Sequence, residues 1–454
     1  MVLNSGAVPL RQFVTKMASG ATPAVAEYEK YYATEADGIP FIRVQNLKET
    51  GVLKLSDTKF INDFTHQNAL KRSQVSENDL LVKITGVGRM AVASVPPIGF
   101  VGNINQHSVV IKTESRNISK QLAAFLNSDI GEKLASRRAT GGTRPALDYP
   151  ALRSIPVICD ERILNIAESA RKEKNQKEQE AKELLASIDV YLLGELGINL
   201  PEQEDNTIEN RSFRTSYNKL CGNRLDPKKY SNKTEALYES IENSEYPNRV
   251  LKSLITHASS GDWGDEVSES FNNELYQKSL VLRSTEFSND FNLNIDGSRV
   301  KYRLISRNKI EKLDIRTDDL LLEKSGGSPD QPVGRIAILT KDLVNNNNLG
   351  YSNFIHKFRV DSEIIYPNYA FAFLKTMHNI KLTDTMQSQT NGIRNLIMSE
   401  YWNQIISLPP LEKQIEIANQ FFYLKLSAEQ LLINAANDFE NAKQQIEDII
   451  LNQN

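Results

Sequence analysis

One pattern constrains this 454-residue chain more than any other: eight landmarks occur twice, in the same order, about 240 to 253 residues apart. A Ser-Gly closes a short strand-like run in FVTKMASGATP around Gly20 and in LITHASSGDWG around Gly261. An arginine follows in a β-rich stretch, Arg43 in FIRVQNL and Arg283 in LVLRSTEF. Polar turns then lead into apolar runs, SENDLLVKITG from Ser76 and RTDDLLLEKSGG from Arg316. Gly-Arg pairs head hydrophobic strands at Gly88-Arg89 and Gly334-Arg335. NINQHSVVI around Asn105 parallels YSNFIHKFRV around Asn353, and short amphipathic helices follow from Leu122 and Tyr369. A Gly-x-Arg turn comes next, through Arg144 and Arg394. Each copy ends with a strand running into proline, at Pro156 and Pro410. Two copies make a pair of domains, not a solenoid.

Each copy is followed by a long helical pattern. The first runs from Asp160 to Leu196, with Ile163, Ile166, Ala167, Ala170, Ala181, Leu184, Leu185, Ile188 and Leu192 at apolar positions. Between them RKEKNQKEQEAKE holds nine charged residues in thirteen, including i,i+4 pairs such as Glu173–Lys177 and Glu178–Lys182. The second runs from Leu411 to Leu451, with Ile415, Ala418, Phe422, Leu431, Leu432, Ala435, Phe439, Ala442, Ile446 and Ile449. Apart from Gly194 in the last turn of the first, neither has Gly or Pro, and each would be about 55–60 Å long. A narrow apolar stripe on a charged helix of this length needs a partner stripe. Either the two helices pack antiparallel as a rod between the β-rich domains, or each packs only on its own domain. The former is the more economical. The expected fold class is therefore α+β: two similar β-rich domains separated by two long antiparallel helices forming a coiled coil. The segments expected are 1–157, 158–200, a lead-in at 201–246, 247–410 and 411–454.

Net charge is −3, which at first argues against a nucleic-acid partner, but the average hides a division. Residues 1–155 carry 19 Lys+Arg against 13 Asp+Glu, residues 247–410 balance at 19 against 19, and the remaining segments hold 16 against 25. A basic first domain with acidic connectors suits local phosphate contact. No run approaches eighteen apolar residues, which argues against a membrane span. MVLNSGAVPLRQFVTKM lacks a signal-peptide core. Two cysteines, Cys159 and Cys221, point to a reducing compartment, and the expected location is the cytoplasm.

The layout of domain, helix, similar domain, helix resembles the DNA specificity subunit of type I restriction-modification systems. The openings SGATP and SGDWG look like the start of that family's target recognition domains. GNRLDPKKY, Gly222 to Tyr230, looks like the element preceding the second such domain, and ISLPPLEKQIEIANQ, Ile406 to Gln420, like the passage into a conserved helix. SIPVICDERI departs from that last form. The resemblance implies that each recognition domain reads half of a split DNA target and that the helices set the gap between halves. It also implies docking of two adenine-methylating (M) subunits and restriction (R) subunits. S-adenosylmethionine, ATP and Mg would then reside in those partners, and this chain would hold no cofactor, no metal and no catalytic residue.

The residues agree in offering no catalytic signature. There is no P-loop, and Thr85-Gly86-Val87-Gly88 is no dinucleotide fingerprint. No Asn-Pro-Pro-aromatic tetrapeptide occurs. Asp318, Asp319, Glu323 and Lys324 miss a nuclease spacing and suit a turn and strand. His66, His107, His257, His356 and His378 show no ligand spacing with the cysteines. His107 and His356 fall at similar places in the repeat.

DNA readers must offer donor–acceptor pairs to base edges or donors to phosphates. In the first domain the candidates are Arg43, Gln45 and Asn46; Lys83, Thr85 and Arg89; Asn103, Asn105, Gln106 and His107; and Thr143 with Arg144. In the second they are Arg283; Lys324, Ser325 and Arg335; Ser352 and Asn353; and Gln389, Asn391 and Arg394. Each has a competing role as a solvated or turn-forming residue. Leu80, Leu81, Leu320 and Leu321 are expected in the core. KITGVGRM against the longer EKSGGSPDQPVGRI marks the largest difference, so different half-sites are expected. Two other readings fit the same layout: a specificity subunit of a different methylation-linked phage-defence complex or a stand-alone modification enzyme, and a coiled-coil adaptor whose β domains bind protein.

Overall fold

The computed structural model describes residues 6–451 except 203, 204, 206, 218, 219, 221–224, 269–271, 289–291, 296, 298, 299, 328–331, 391 and 392, and describes only the backbone of 389 and 390. Cys221, the Gly222–Arg224 part of GNRLDPKKY and Asn391 therefore lie outside the described residues. The chain forms two compact units. One comprises residues up to Ala181 with those from Gln430 onward; the other is Lys182–Glu429.

In the first unit the apolar run after the polar turn becomes the strand Leu80–Lys83. It pairs with Ser108–Lys112 and with Ala93–Ser94, and Lys16–Ser19 completes a four-stranded sheet. Leu80, Leu81 and Val82 are all fully buried, because the strand has a core on each side. Leu80 and Val82 face Leu122 and Phe125 of the helix Arg116–Asn127. Leu81 faces Ile42, Val75 and Ile104. Burial on both faces explains an uninterrupted apolar run where a half-exposed strand would alternate, and each such side chain contributes about 1.5–3 kcal/mol. A second sheet has the order Tyr32–Ala33, Lys59–Ile61, Ile39–Ile42, Val101–Ile104, Gln74–Ser76, with a parallel pairing of Ile39–Ile42 and Val101–Ile104.

The second unit repeats this plan. Ile255–Ser260, Ile355–Val360, Leu320–Glu323 and Ile336–Ile338 form a four-stranded sheet in the same order. Tyr276–Leu282 pairs parallel with Leu349–Tyr351 and antiparallel with Lys301–Ser306. Leu320 and Leu322 face one core and Leu321 the other. Each head is closed by a short antiparallel pair: Val8–Pro9 with Pro156–Val157, and Asn248–Val250 with Ile405–Ser407.

Hydrogen-bond register refines the repeat and corrects two correspondences. Lys83 N–H donates to Val92 O, and Glu323 N–H to Arg335 O, both at 2.9 Å. Arg335 is thus the counterpart of Val92, and the two Gly-Arg pairs are three residues out of step. Similarly, Val109 opposes Val82 while His356 opposes Leu322. His356 corresponds to Val109, not to His107. Local similarity of letters misled because a glycine turn absorbs insertions that a strand register does not.

The long helices span Glu161–Glu195 and Leu411–Leu451. Within the first unit, Ile163 shares a core with Ile446 and Ile450, and Lys177 pairs with Asp438. Within the second, Ile188 and Leu192 share a core with Ile417, Ala418 and Phe421, and Lys413 bridges Glu195 at 2.6 Å. In each unit the helices run antiparallel and also pack on the head. Glu447 accepts from Ile130 N–H, and Asp189 accepts from Thr376 Oγ1 at 2.7 Å. The alternative in which each helix serves only its own domain does not hold. In the lead-in, Asp226 caps Lys228 N–H, while Lys228 and Lys229 pair with Asp384 and Glu400 at 2.8 and 2.9 Å, tying it to the second head. Among the described residues, no helix is long and apolar enough to cross a membrane.

Candidate nucleic-acid interface

In each head the same strand ends converge through the same four links. Asn105 N–H donates to Ile42 O, and Ser352 N–H to Leu282 O. Ile84 N–H donates to His107 O, and Lys324 N–H to Phe354 O. Leu147 N–H donates to Ile84 O, and Leu396 N–H to Lys324 O, all at 2.8–3.0 Å. The fourth link is the Ser-Gly landmark. A Cβ on Gly20 would stand 1.7 Å from Ile104 O, and one on Gly261 2.1 Å from Tyr351 O, so only glycine lets this strand lie against the neighbouring carbonyls. Parallel strands end together, and an antiparallel neighbour begins where its partner ends. The topology therefore gathers the ends of Ile39–Ile42, Leu80–Lys83 and Val101–Ile104, with the start of Ser108–Lys112, into one polar edge.

The Gly-x-Arg turn joins that edge in both heads. In the first, Thr85 and Thr140 each bridge to Ala146, with Thr143 and Arg144 exposed in the turn between. In the second, Ser325–Gly327 pairs with Ile393–Leu396, which pairs with Gln387–Thr390. Ser325 donates to Asn395 Oδ1, and Arg394 lies opposite Gly327 and opposite the backbone of Gln389.

Not every candidate stands free at this edge. Arg89 is held away from it: its guanidinium donates to Asp129 at 2.6 Å and to the carbonyls of Asn127 and Ser128, as a cap on a helix C-terminus. Arg335 is buried, paired with Glu323 at 2.8 Å and donating to the carbonyls of Ser284 and Phe287. Asn103 is fully buried, between His66 and Leu70 O. Asn46 is buried as well, accepting from Arg43 N–H at 2.9 Å and donating to Lys54 O at 2.8 Å. Asn105 accepts from His107 N–H, and Ser352 is buried. Apart from Ser352, whose buried hydroxyl has no partner among the described residues, these residues shape the fold, and a polar group already engaged by partners is a poor base reader.

Gln45, Gln106, Thr143, Arg144 and Asn353 are exposed, while Arg43, Lys83, Thr85, His107, Arg283, Lys324, Ser325 and Arg394 are partly so. Lys83 donates to Val87 O at 2.7 Å and Lys324 to Ser260 Oγ at 2.6 Å. Burial lowers the pKa of each ammonium; for Lys83, Glu49 works against that. Partly desolvated cations gain most when a phosphate arrives.

Two residues at this edge escaped the sequence reading. Trp263, two positions after the landmark glycine, lies 5.8 Å from the Arg283 guanidinium and 4.8 Å from that of Arg303; its counterpart Thr22 donates to Gln106. Glu286 holds Arg283 through both carboxylate oxygens, at 2.6 and 3.2 Å. A Trp following the Ser-Gly landmark was the available signal for the first. Nothing in the sequence marked the second. Among the described residues, no group of three or more His, Cys, Asp or Glu could hold a metal ion.

Residues 266–436 match the family model of the type I restriction modification DNA specificity domain. No curated protein matches the chain. Three solved structures align over 98% of it. The HsdS subunit from Thermoanaerobacter tengcongensis is 14% identical, with 95% of that chain covered and a TM-score of 0.40. The S subunit of the type I restriction-modification system from M. genitalium is 12% identical, with 95% covered and a TM-score of 0.43. A structure solved for complex assembly and conformational transition of the type I R-M system is 13% identical, with 96% covered and a TM-score of 0.52. That last likeness is one of fold.

Proposed function

We propose that this chain, whose residues 266–436 match the type I restriction modification DNA specificity domain, is a DNA specificity subunit of that kind, in which each head reads one half of a bipartite duplex target and directs adenine methylation or restriction by partner subunits. The observation that carries this is the twofold recurrence of one polar edge, built from the same backbone links in each head. Two like edges with unlike side chains suit two unlike half-sites. The interface is assigned to Arg43, Gln45, Lys83, Thr85, Gln106, His107, Thr143 and Arg144 in the first head. In the second it is assigned to Arg283, Lys324, Ser325, Asn353 and Arg394, with Gln389 and Asn391 kept as candidates by their place in the sequence. Arginine and glutamine or asparagine can form bidentate pairs with guanine and adenine, while lysine and threonine hold phosphates. The antiparallel helices fix the gap, as dimer geometry fixes half-site spacing in repressors. Two M subunits and R subunits carry the chemistry with S-adenosylmethionine, ATP and Mg. The chain itself is non-catalytic and acts in the cytoplasm.

The test is a genome-wide map of methylated adenine in a host with and without this chain. A bipartite motif that appears only with the chain is expected. Exchange of residues 1–155 for those of a relative should alter one half of that motif alone; alteration of both halves refutes independent heads.

A further inference from the structure

Arg43 and Arg283 occupy the same place in the two heads, one residue beyond the carbonyls of Ile42 and Leu282 that receive the matching hydrogen bonds. Each opens a 3₁₀ turn whose third residue accepts the arginine's own backbone N–H: Asn46 at 2.9 Å in the first head, Glu286 at 2.7 Å in the second. The backbone task is identical, but the charge left beside the guanidinium is not. In the first head the Arg43 guanidinium donates to Asp57 O at 2.7 Å, and among the described residues no carboxylate is ion-paired with it. In the second, the 3%-exposed Glu286 carboxylate grips the Arg283 guanidinium in a bidentate pair, and Trp263 lies 5.8 Å away. The heads as a whole follow suit, at 19 basic against 13 acidic residues for 1–155 and 19 against 19 for 247–410.

We propose that Glu286 is a positioning residue that masks Arg283 from phosphate, so that the first head supplies the larger share of sequence-independent DNA attraction and the second head discriminates with little of it. This rests on the reading of both polar edges as DNA-binding. The physical ground is that a cation already paired with a fixed carboxylate displaces no condensed counterion unless that pair breaks, whereas an arginine held only by a carbonyl can turn to a phosphate. A weakly attracting second head also limits binding at sites that match only its own half.

The experiment measures the affinity of the full chain for random-sequence duplex DNA as a function of salt. Each phosphate contact contributes a slope of about −0.9 in log K against log salt. Arg43→Ala is expected to make the slope shallower by about one contact. Glu286→Gln, which keeps an oxygen for the Arg283 N–H, is expected to steepen it by about one contact, and adding Arg283→Ala is expected to remove that gain. Glu286→Asn, the first head's own residue at this place, serves as the second variant, and thermal melting verifies folding of each. A folded Glu286→Gln or Glu286→Asn protein with the wild-type slope overturns the proposal, as does an unchanged slope for Arg43→Ala. Wild-type protein that fails to bind duplex DNA even at low salt overturns the DNA reading itself, a different and separable result.

Discussion

The two heads share a register and differ in what they bury at it. Where the first head places Val92 beside its sheet and Val109 within it, the second places Arg335 and His356. Where the first balances Asp79 with Lys112 at 2.5 Å, the second ties Asp319 to both Lys357 and Arg359, at 2.8 and 2.7 Å. Lys357 and Asp319 are fully buried; Lys112 is one-third exposed. One backbone therefore accepts an apolar or an ionic interior at matching positions, provided each buried charge has its partner. The pairing, not the ion, is what the fold requires.

That comparison can be broken in several ways. The largest effect is expected from Asp319→Ala, which leaves the buried Lys357 ammonium without its carboxylate and with only the Asp314 carbonyl to accept from it, and costs about 3–5 kcal/mol, read as the urea midpoint of the full chain. Asp79→Ala, at the matching carboxylate, removes a better hydrated pair with Lys112, the counterpart of Arg359, and is expected to cost about 1.5–3 kcal/mol. Equal losses would show that the buried Lys357 adds nothing to the demand the second head makes on this carboxylate. Arg335→Val alone strands Glu323, whose pKa burial already raises. The double variant Arg335→Val with Glu323→Leu is expected to recover most of the loss, since paired ions can be replaced by apolar residues without net cost.

Leu81→Ala and Leu321→Ala act on counterparts that are both fully buried, and each is expected to cost about 2–5 kcal/mol. A much smaller loss in one head would mean that its two cores can collapse onto the cavity. The smallest effect is one of pH. Burial lowers His356 and His378 to about 4. Above 6.5 they are neutral whether folded or not. As pH falls from 6.5 toward 4, the unfolded chain takes up protons that the native second head refuses. Stability is lost through that window and levels off below it. His356→Val, the first head's solution, is expected to flatten the fall between pH 6.5 and 4; an unchanged pH profile would refute the assignment.

Much of the fold was legible in the letters, for identifiable reasons. The duplicated order of landmarks, the doubly buried runs at Leu80 and Leu320, and the helix ends near Glu161 and Leu411 are local signals, set by side-chain periodicity and by glycine or proline at fixed places. The candidate interface was legible only as a region. Residue type made Arg43, Arg89, Arg283 and Arg335 look alike. Only packing separated Arg89, which caps a helix end, and Arg335, which neutralises Glu323, from those at the polar edge.

What the sequence alone determined is thus the pattern: two like heads, two long helices and the residues that must be buried. Tertiary structure decided which equivalent positions face each other and which charges already have partners. Register and ion pairing link residues far apart in the chain, such as Asp79 with Lys112 and Asp319 with Lys357, and their energies depend on burial that no local pattern encodes.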